Sequence, residues 1–283
     1  MKYYNRNTRE IMDIKDSKSL IFLYKTTIGR KILKQITKPS FSKISDKITN
    51  SKISKIYIKR FIKKNNIDMN NFEDRQYTSF NDFFTRKVKN SKPDKDINKE
   101  LLISPCTSKL TVYKIDQNLT IKVKNSLYSV ENLIQEKDKK LEGGLCLVFR
   151  LCVDDYHRYH AFDNQKILKT KKIAGRLHTV NPISYDNYKV FTENQREVSK
   201  IKTENFGIVY QIEVGALNVG KIHNHQTKKL KRYDEKGYFS FGGSTIILLF
   251  QKNKVQIDKD IVFASKQKME SKVLYKDIIG KRI

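Results

Sequence analysis

Two short stretches of this sequence carry side chains suited to chemistry. Tyr156-His157-Arg158-Tyr159-His160 follows the apolar run 145–152 and holds two of the chain's five histidines. An imidazole takes up and releases a proton near neutral pH, and two of them at a spacing of three on a tight loop can face one site. The same spacing also suits histidines that are exposed or satisfied within a core. No Cys, Asp or Glu stands at a recognised ligand spacing from either, so no metal is expected. The second stretch, Phe241-Gly242-Gly243-Ser244-Thr245, runs straight into Ile246-Ile247-Leu248-Leu249-Phe250. Its two glycines allow backbone conformations closed to other residues and leave the Gly243 carbonyl sterically open to the Ser244 hydroxyl. Taken alone, it also reads as an ordinary glycine turn before a buried strand.

The elements that must position these residues fall into two zones. Residues 1 to about 92 read as helical, with apolar side chains at intervals of three and four: Ile21, Tyr24, Ile28 and Ile32, then Phe41, Ile44 and Ile48, then Ile53, Tyr57 and Phe61. Pro39 separates the first helix from the second, and Asn50-Ser51 offers a break before the third. Ser79-Phe80-Asn81-Asp82 has the form of a capping box with Asp in the acidic position, so a short helix carrying Phe83, Phe84 and Val88 is expected to start there. After Lys92-Pro93 the pattern changes to short apolar or alternating segments at 109–114, 119–124, 145–152, 207–214 and 245–250. Long helical crossovers between them are scarce, which favours a sandwich or distorted barrel over a doubly wound sheet. The expectation is an α+β protein: a helical layer over 1–92, then a mainly antiparallel, β-rich catalytic domain over 93–283.

Composition bounds the partners. With 58 Lys plus Arg against 30 Asp plus Glu, the formal charge is +28, so an anionic partner is expected. Between positions 21 and 64 stand thirteen Lys or Arg and one acid, Asp46. Basic residues beside apolar stripes are what an interfacial helix uses on an anionic membrane, and they equally suit a packed helical layer with a solvated lysine face. No module of base-stacking aromatics is recognisable, which argues against nucleic acid. The longest early apolar run, 20–24, is far below the roughly 20 residues a spanning helix needs, so any membrane contact is expected to be peripheral. Cys106, Cys146 and Cys152 lack the spacing of a disulfide framework or a zinc site, which fits a reducing cytosol.

Taken together, the motifs resemble those of the phosphatidylserine decarboxylase family. The residues that carry the likeness are Ser79-Phe80-Asn81-Asp82-Phe83-Phe84-Thr85-Arg86, Ser104-Pro105, Tyr156-His157-Arg158-Tyr159-His160, Val214-Gly215-Ala216 with Val219-Gly220, and Lys236-Gly237-Tyr238-Phe239 leading into Gly242-Gly243-Ser244-Thr245. They occur in the family's order. The resemblance implies a proenzyme in which the Ser244 hydroxyl attacks the Gly243 carbonyl, giving a β chain of residues 1–243 and an α chain of 244–283 that stay associated. Position 244 would become a pyruvoyl group, the only cofactor, which binds the substrate amine as a Schiff base. A histidine matching His160 is implied as the base for self-cleavage, and one matching His157 as a residue of the decarboxylation step. The implied substrate is phosphatidylserine, the product phosphatidylethanolamine, the place the cytoplasmic face of the cell membrane, and the assembly a homo-oligomer.

The sequence departs from the family pattern at two places. Where relatives carry Ser-Pro-x-Asp, this chain has Ser104-Pro105-Cys106-Thr107. Thr107 can accept a hydrogen bond from an imidazole but cannot supply the negative charge that steadies an imidazolium, so Asp154, Asp155 and Asp163 are alternative acids. The segment Ala216-Leu217-Asn218-Val219-Gly220-Lys221 also differs, with Lys221 expected to be an exposed basic residue. An uncleaved, lipid-binding homologue is the alternative that Thr107 leaves open.

Overall fold

A computed structural model describes residues 2–14, 17–93, 98–124, 126–217 and 221–283. The apolar run that follows Gly243 forms the strand Ser244–Phe250, buried at every position. A strand covered on both faces reads as a continuous apolar run, since neither set of alternate side chains meets water. It lies antiparallel between Ile208–Gly215 and Leu145–Leu151, inside a ten-stranded sheet. Its side chains alternate between two cores. Ile246, Leu248 and Phe250 pack with Leu147 and Phe149, whereas Ile247 and Leu249 pack with Val148 and Ile212 on the opposite face.

The large sheet is antiparallel throughout except where Lys2–Asn5 runs parallel to Glu270–Val273. It is open, with edge strands Lys229–Leu230 and Glu10–Asp13, so the α+β expectation holds and the barrel form of it does not. A separate sheet of Ile222–Asn224, Glu235–Phe239 and Arg158–His160 covers one face. Its Tyr159 and Phe239 join the core that contains Ile246.

The N-terminal zone is helical from Lys18 onward, in α1 (Lys18–Lys25), α2 (Thr27–Ile36), α3 (Pro39–Asn50) and α4 (Ile56–Asn65). Residues 2–13, expected as part of that layer, instead supply the strands Lys2–Asn5 and Glu10–Asp13. The apolar helical period starts only at about residue 20, and Arg6 ties this end to Asp258 and Asp260, each at 2.7 Å. Thr26 separates α1 from α2 because its backbone is extended and its hydroxyl caps the Gly29 N–H. Pro39 stands in the first turn of α3, where its missing N–H costs nothing.

Arg150 and Glu270 form an ion pair across the sheet with both side chains about 5% exposed. Removing one partner leaves a charge buried alone, which typically costs about 3–5 kcal/mol. Glu270→Ala is therefore expected to lower unfolding stability in urea by about 3 kcal/mol; a change below about 1 kcal/mol, as at an exposed pair, would contradict the buried geometry.

Candidate active site

Ser244 opens the buried strand, its backbone registered opposite Gly215 on one side and Leu151 on the other. The side chain is 1% exposed and its Oγ has no hydrogen-bond partner among the described residues. An unpaired buried hydroxyl costs about 1–3 kcal/mol, so the strand start tolerates a defect that folding alone would remove. The preceding turn needs glycine: Gly242 sits at φ 141°, closed to residues with a side chain. Phe241 is held from outside the turn. Its N–H donates to Asn81 Oδ1 at 2.9 Å, and its ring meets Phe80 and Phe84 edge-on at 4.9 and 5.1 Å.

Those three residues belong to the short helix α5 (Phe80–Phe84), which forms as its sequence directs. Ser79 Oγ accepts the Asp82 N–H at 3.1 Å. The Asp82 carboxylate, however, accepts the Thr78 N–H at 2.8 Å rather than closing a box on Ser79, and it pairs with Arg75 at 2.7 Å. Burial alone would raise this carboxyl, but the bonds from Arg75 and Thr78 outweigh it and hold it below its ordinary range. Thus α5 clamps the residue two positions before the Gly243–Ser244 bond.

The histidines lie along and just before Arg158–His160, which runs antiparallel to Glu235–Phe239. The Phe239 N–H donates to the His157 carbonyl at 3.0 Å, so His157 stands at the end of the pairing nearest the glycine turn. His160 stands at the other end, opposite Glu235. His157 is fully buried, and its Nδ1 bonds to the Asp155 carbonyl at 2.9 Å. A carbonyl only accepts, so Nδ1 carries the proton and Nε2 the lone pair, and Nε2 has no partner among the described residues. The ring contacts Phe84 at 4.3 Å. Burial pushes its pKa down to about 4, against the upward pull of the Asp155 and Gly242 backbones.

His160 is 1% exposed, stacked on Tyr275 at 4.1 Å and on Tyr156 at 6.0 Å. Its backbone N–H donates to the Pro105 carbonyl at 2.9 Å, which joins the Ser104-Pro105 segment to the histidine strand. Burial lowers this imidazole to about 4 as well, with Glu235 pulling upward and Arg158 and Lys276 pushing down. Thr107 Oγ1 accepts the Tyr275 N–H at 3.1 Å, so it touches the residue stacked on His160.

Of the alternative acids, Asp163 is held by Asn205 at 2.7 and 2.8 Å. Asp155 Oδ2 accepts the Cys152 N–H at 2.7 Å, and burial pushes its carboxyl up to about 6. The negative charges that act on His160 belong to Glu235 and Asp234. Glu235 also binds Arg158 and His225, each at 2.7 Å. Glu235 directly precedes the Lys236-Gly237-Tyr238-Phe239 motif, but nothing local marks it, and only the pairing of two distant strands sets it opposite His160.

The fold therefore gathers Gly242, Gly243, Ser244, His157 and Phe84 at one point, while His160, Thr107, Tyr156 and Tyr275 form an adjoining group. Neither imidazole is hydrogen-bonded to Ser244 Oγ. A cavity of about 600 Å³ borders the second group, with Thr107, Asp155, Tyr156 and Tyr275 in its wall. Lys221 is exposed, as expected, and pairs with Asp46 of α3 at 3.4 Å. Asn218, Val219 and Gly220 lie outside the described residues. No group of three or more potential metal ligands occurs among the described residues. A buried, unpaired hydroxyl beside an open carbonyl, with the neutral imidazole of His157 at the Gly242 backbone, is equipped for nucleophilic attack and proton transfer within the chain.

Residues 80–275 match the model of the family described as phosphatidylserine decarboxylase. The chain is 49% identical to phosphatidylserine decarboxylase proenzyme 2 of Clostridium acetobutylicum, over 98% of its own length and 97% of that protein's. It is 44% identical to the phosphatidylserine decarboxylase proenzyme of Clostridium tetani, over 100% and 98% of the two chains. Its identity to the proenzyme of the same name from Clostridium kluyveri is 41%, over 99% and 98%.

The buried imidazoles make folding sensitive to acid. His157, His160 and His178 are each pushed down to about 4 by burial. The unfolded chain takes up these protons near 6.5, so the stability the three contribute is complete above that pH and is lost as the pH falls through about 4. Asp155 has the opposite sign: its contribution is complete below the ordinary 3.8 and lost as the pH rises through about 6, and burial raises Asp163 and Asp277 in the same sense, while His223 is lowered with the other three histidines. The melting temperature is expected to fall steadily as pH drops from about 6.5 toward 4, and the ring-proton NMR signals of His157 and His160 to stay unshifted until the pH nears 4. Ordinary titration of both rings near 6.5 would contradict this burial.

Proposed function

This chain belongs to the phosphatidylserine decarboxylase family, and on that premise we propose that it cuts its own Gly243–Ser244 bond and then converts phosphatidylserine to phosphatidylethanolamine and carbon dioxide. The observation that carries this reading is the Ser244 hydroxyl, buried and unpaired at the start of the central strand, next to the Gly243 carbonyl.

In the cutting reaction the Ser244 hydroxyl gives up its proton as Oγ adds to the Gly243 carbonyl carbon. The C–N bond then breaks, the nitrogen regains a proton, and residues 1–243 are held to Ser244 Oγ as an ester. Loss of the Ser244 α-proton expels Gly243 as a carboxylate and leaves dehydroalanine at 244. Its tautomer, an imine, takes up water and releases ammonia, so residue 244 ends as a ketone. The surroundings fit such a group: the hydroxyl it derives from makes no bond that would be lost, and the space at Gly243 is not crowded, Val180 Cγ2 standing 3.5 Å from where a Cβ would be. The pyruvoyl group supplies an electron sink for the pair left behind when carbon dioxide departs, the part pyridoxal phosphate plays in other enzymes.

The chain's own residues move protons and exclude water. His160 is the proposed base for Ser244; its Nδ1 is buried and unpaired, and Glu235 and Asp234 supply the negative charge that Thr107 lacks. His157, whose ring lies at the Gly242 backbone, is the proposed residue of the decarboxylation step; its Nε2 lone pair is the position that would take up and return a proton there. After cutting, residues 244–283 stay bound to 1–243. Support comes from the strand Ser244–Phe250, paired on both edges, and from the Arg150–Glu270 and Arg6–Asp258 contacts, which all join the two pieces.

Peripheral attachment to an anionic membrane is supported by the helical layer, whose apolar stripes are not packed away. Ile28, Ile48, Ile53 and Ile56 are 65%, 60%, 76% and 67% exposed among the lysines. No helix among the described residues is long and apolar enough to cross a membrane.

On a denaturing gel, Ser244→Ala and His160→Ala are expected to remain one chain, while His157→Ala is cut normally but decarboxylates about 100-fold or more slowly. Thr107→Asp is expected to speed cutting, since a carboxylate at that position adds charge beside Tyr275 and His160. If His157→Ala blocks cutting and His160→Ala does not, the two assignments are wrong as stated. Binding to phosphatidylglycerol vesicles is expected to weaken as salt rises; salt-independent binding would contradict the electrostatic part.

A further inference from the structure

One buried cation takes no part in the chemistry of Ser244 and the two histidines. Arg86, two residues beyond α5, is 1% exposed, yet its Nε and Nη1 have no hydrogen-bond partner among the described residues. The rings of Phe72 and Phe83 lie 4.3 and 5.0 Å from its Cζ. Ring faces attract the cation but take none of its in-plane N–H groups, so the guanidinium remains short of acceptors. Burial lowers its pKa to about 10, which still leaves it charged at neutral pH. A folded protein rarely keeps a buried, unpaired arginine unless something else supplies the acceptor.

Arg86 lines the 600 Å³ cavity, with Lys272 and Lys89 also in the wall. One side of the cavity is the turn at 65–71 that follows α4, and the opposite side is the end of Glu270–Val273 with Leu274, Tyr275 and Lys276. It therefore lies between the exposed apolar helices and the residues around His160. Three carboxyls share the wall. Asp68 is engaged by Asn70 and Asn71, Asp155 is raised to about 6, and Asp154 is exposed. Tyr156 and Asp155, which directly precede His157, stand in the same wall, and Arg86 acts electrostatically on the His157 ring.

We propose that Arg86 binds the phosphodiester of the lipid head group in this cavity. The inference rests on the decarboxylase reading and names how that site holds its substrate. The head group carries two anions, and chemistry separates them. The carboxylate must lose its charge as carbon dioxide leaves, so a cation on it would stabilise the ground state and slow the reaction. The phosphodiester keeps its charge throughout, and a guanidinium on it binds ground and transition states alike. Such uniform binding appears in KM and leaves kcat nearly unchanged.

The test uses the uncleavable Ser244→Ala chain and titration calorimetry, so it stands whether or not the Gly243–Ser244 bond is ever cut. Glycerophosphoserine and glycerophosphoethanolamine, which share the phosphodiester, are expected to bind within a factor of about two of each other, with serine and inorganic phosphate about tenfold or more weaker. Adding Arg86→Gln should weaken both diesters about tenfold or more, and Lys272→Gln, at the cavity wall, by a smaller factor. In the cut enzyme, Arg86→Gln should raise KM by a similar factor at nearly constant kcat. Serine binding as tightly as glycerophosphoethanolamine overturns the inference whatever the variants do, even if Arg86→Gln fails to fold. Inorganic phosphate binding equally well overturns the head-group assignment, and so does a folded Arg86→Gln chain that binds the diesters unchanged.

Discussion

The structure depends on one constraint: the peptide bond at Gly243–Ser244 lies where a flexible glycine turn meets a strand that cannot move. On the strand side, Ser244 is fixed by Gly215 and Leu151 and followed by six wholly buried residues. On the turn side, Gly242 supplies a backbone angle that only glycine holds easily, and Asn81 grips the Phe241 N–H. Between two fixed points, the serine hydroxyl has little to approach except the neighbouring carbonyl. Holding reacting atoms together in this way removes much of the entropic barrier to an intramolecular step. In the proposed cleavage, the same strand, buried on both faces, is what would keep the two pieces together.

The remaining architecture follows from what this junction needs. The histidine strand must sit over the large sheet in one register, and a buried polar group fixes it there. Lys236 Nζ bonds Glu213 Oε1 and Asn224 Oδ1, each at 2.8 Å, and Tyr159 OH bonds the same Asn224 at 3.1 Å. Glu213 lies on the strand next to Ser244–Phe250 and Tyr159 between the two histidines, so the network couples the small sheet to the large one. The helical layer is tied down by few polar contacts, among them Lys221 to Asp46 and Lys25 to Asp186, while its exposed isoleucines face outward. On the proposed reading, its surplus of lysines beside these isoleucines is the surface that would meet an anionic lipid layer.

Much of this was legible in the sequence, for definite reasons. The strand Ser244–Phe250 announced itself because a doubly buried strand is a pure apolar run, and α5 because its cap and its aromatic face coincide. The order of the motifs carried the family. Residues 2–13 are not helical as the sequence suggests, because the strand Lys2–Asn5 takes its conformation from a partner 267 positions away, as Tyr3 does from Glu270. Glu235 was passed over for a similar reason: the charge that reaches His160 arrives across a strand pair, and nothing local marks it. The exposure of Ile28 and Ile53 was also hidden, since helical periodicity looks the same whether the stripe meets protein or lipid.

Conversion of Ser244 into a ketone can be read from the intact mass of the purified protein under denaturing conditions. Two chains are expected, 1–243 and 244–283, the second lighter by one ammonia than a serine-ended chain and closed to Edman degradation. A single persistent chain of 33.3 kDa, or a short chain that begins with free serine, would contradict it.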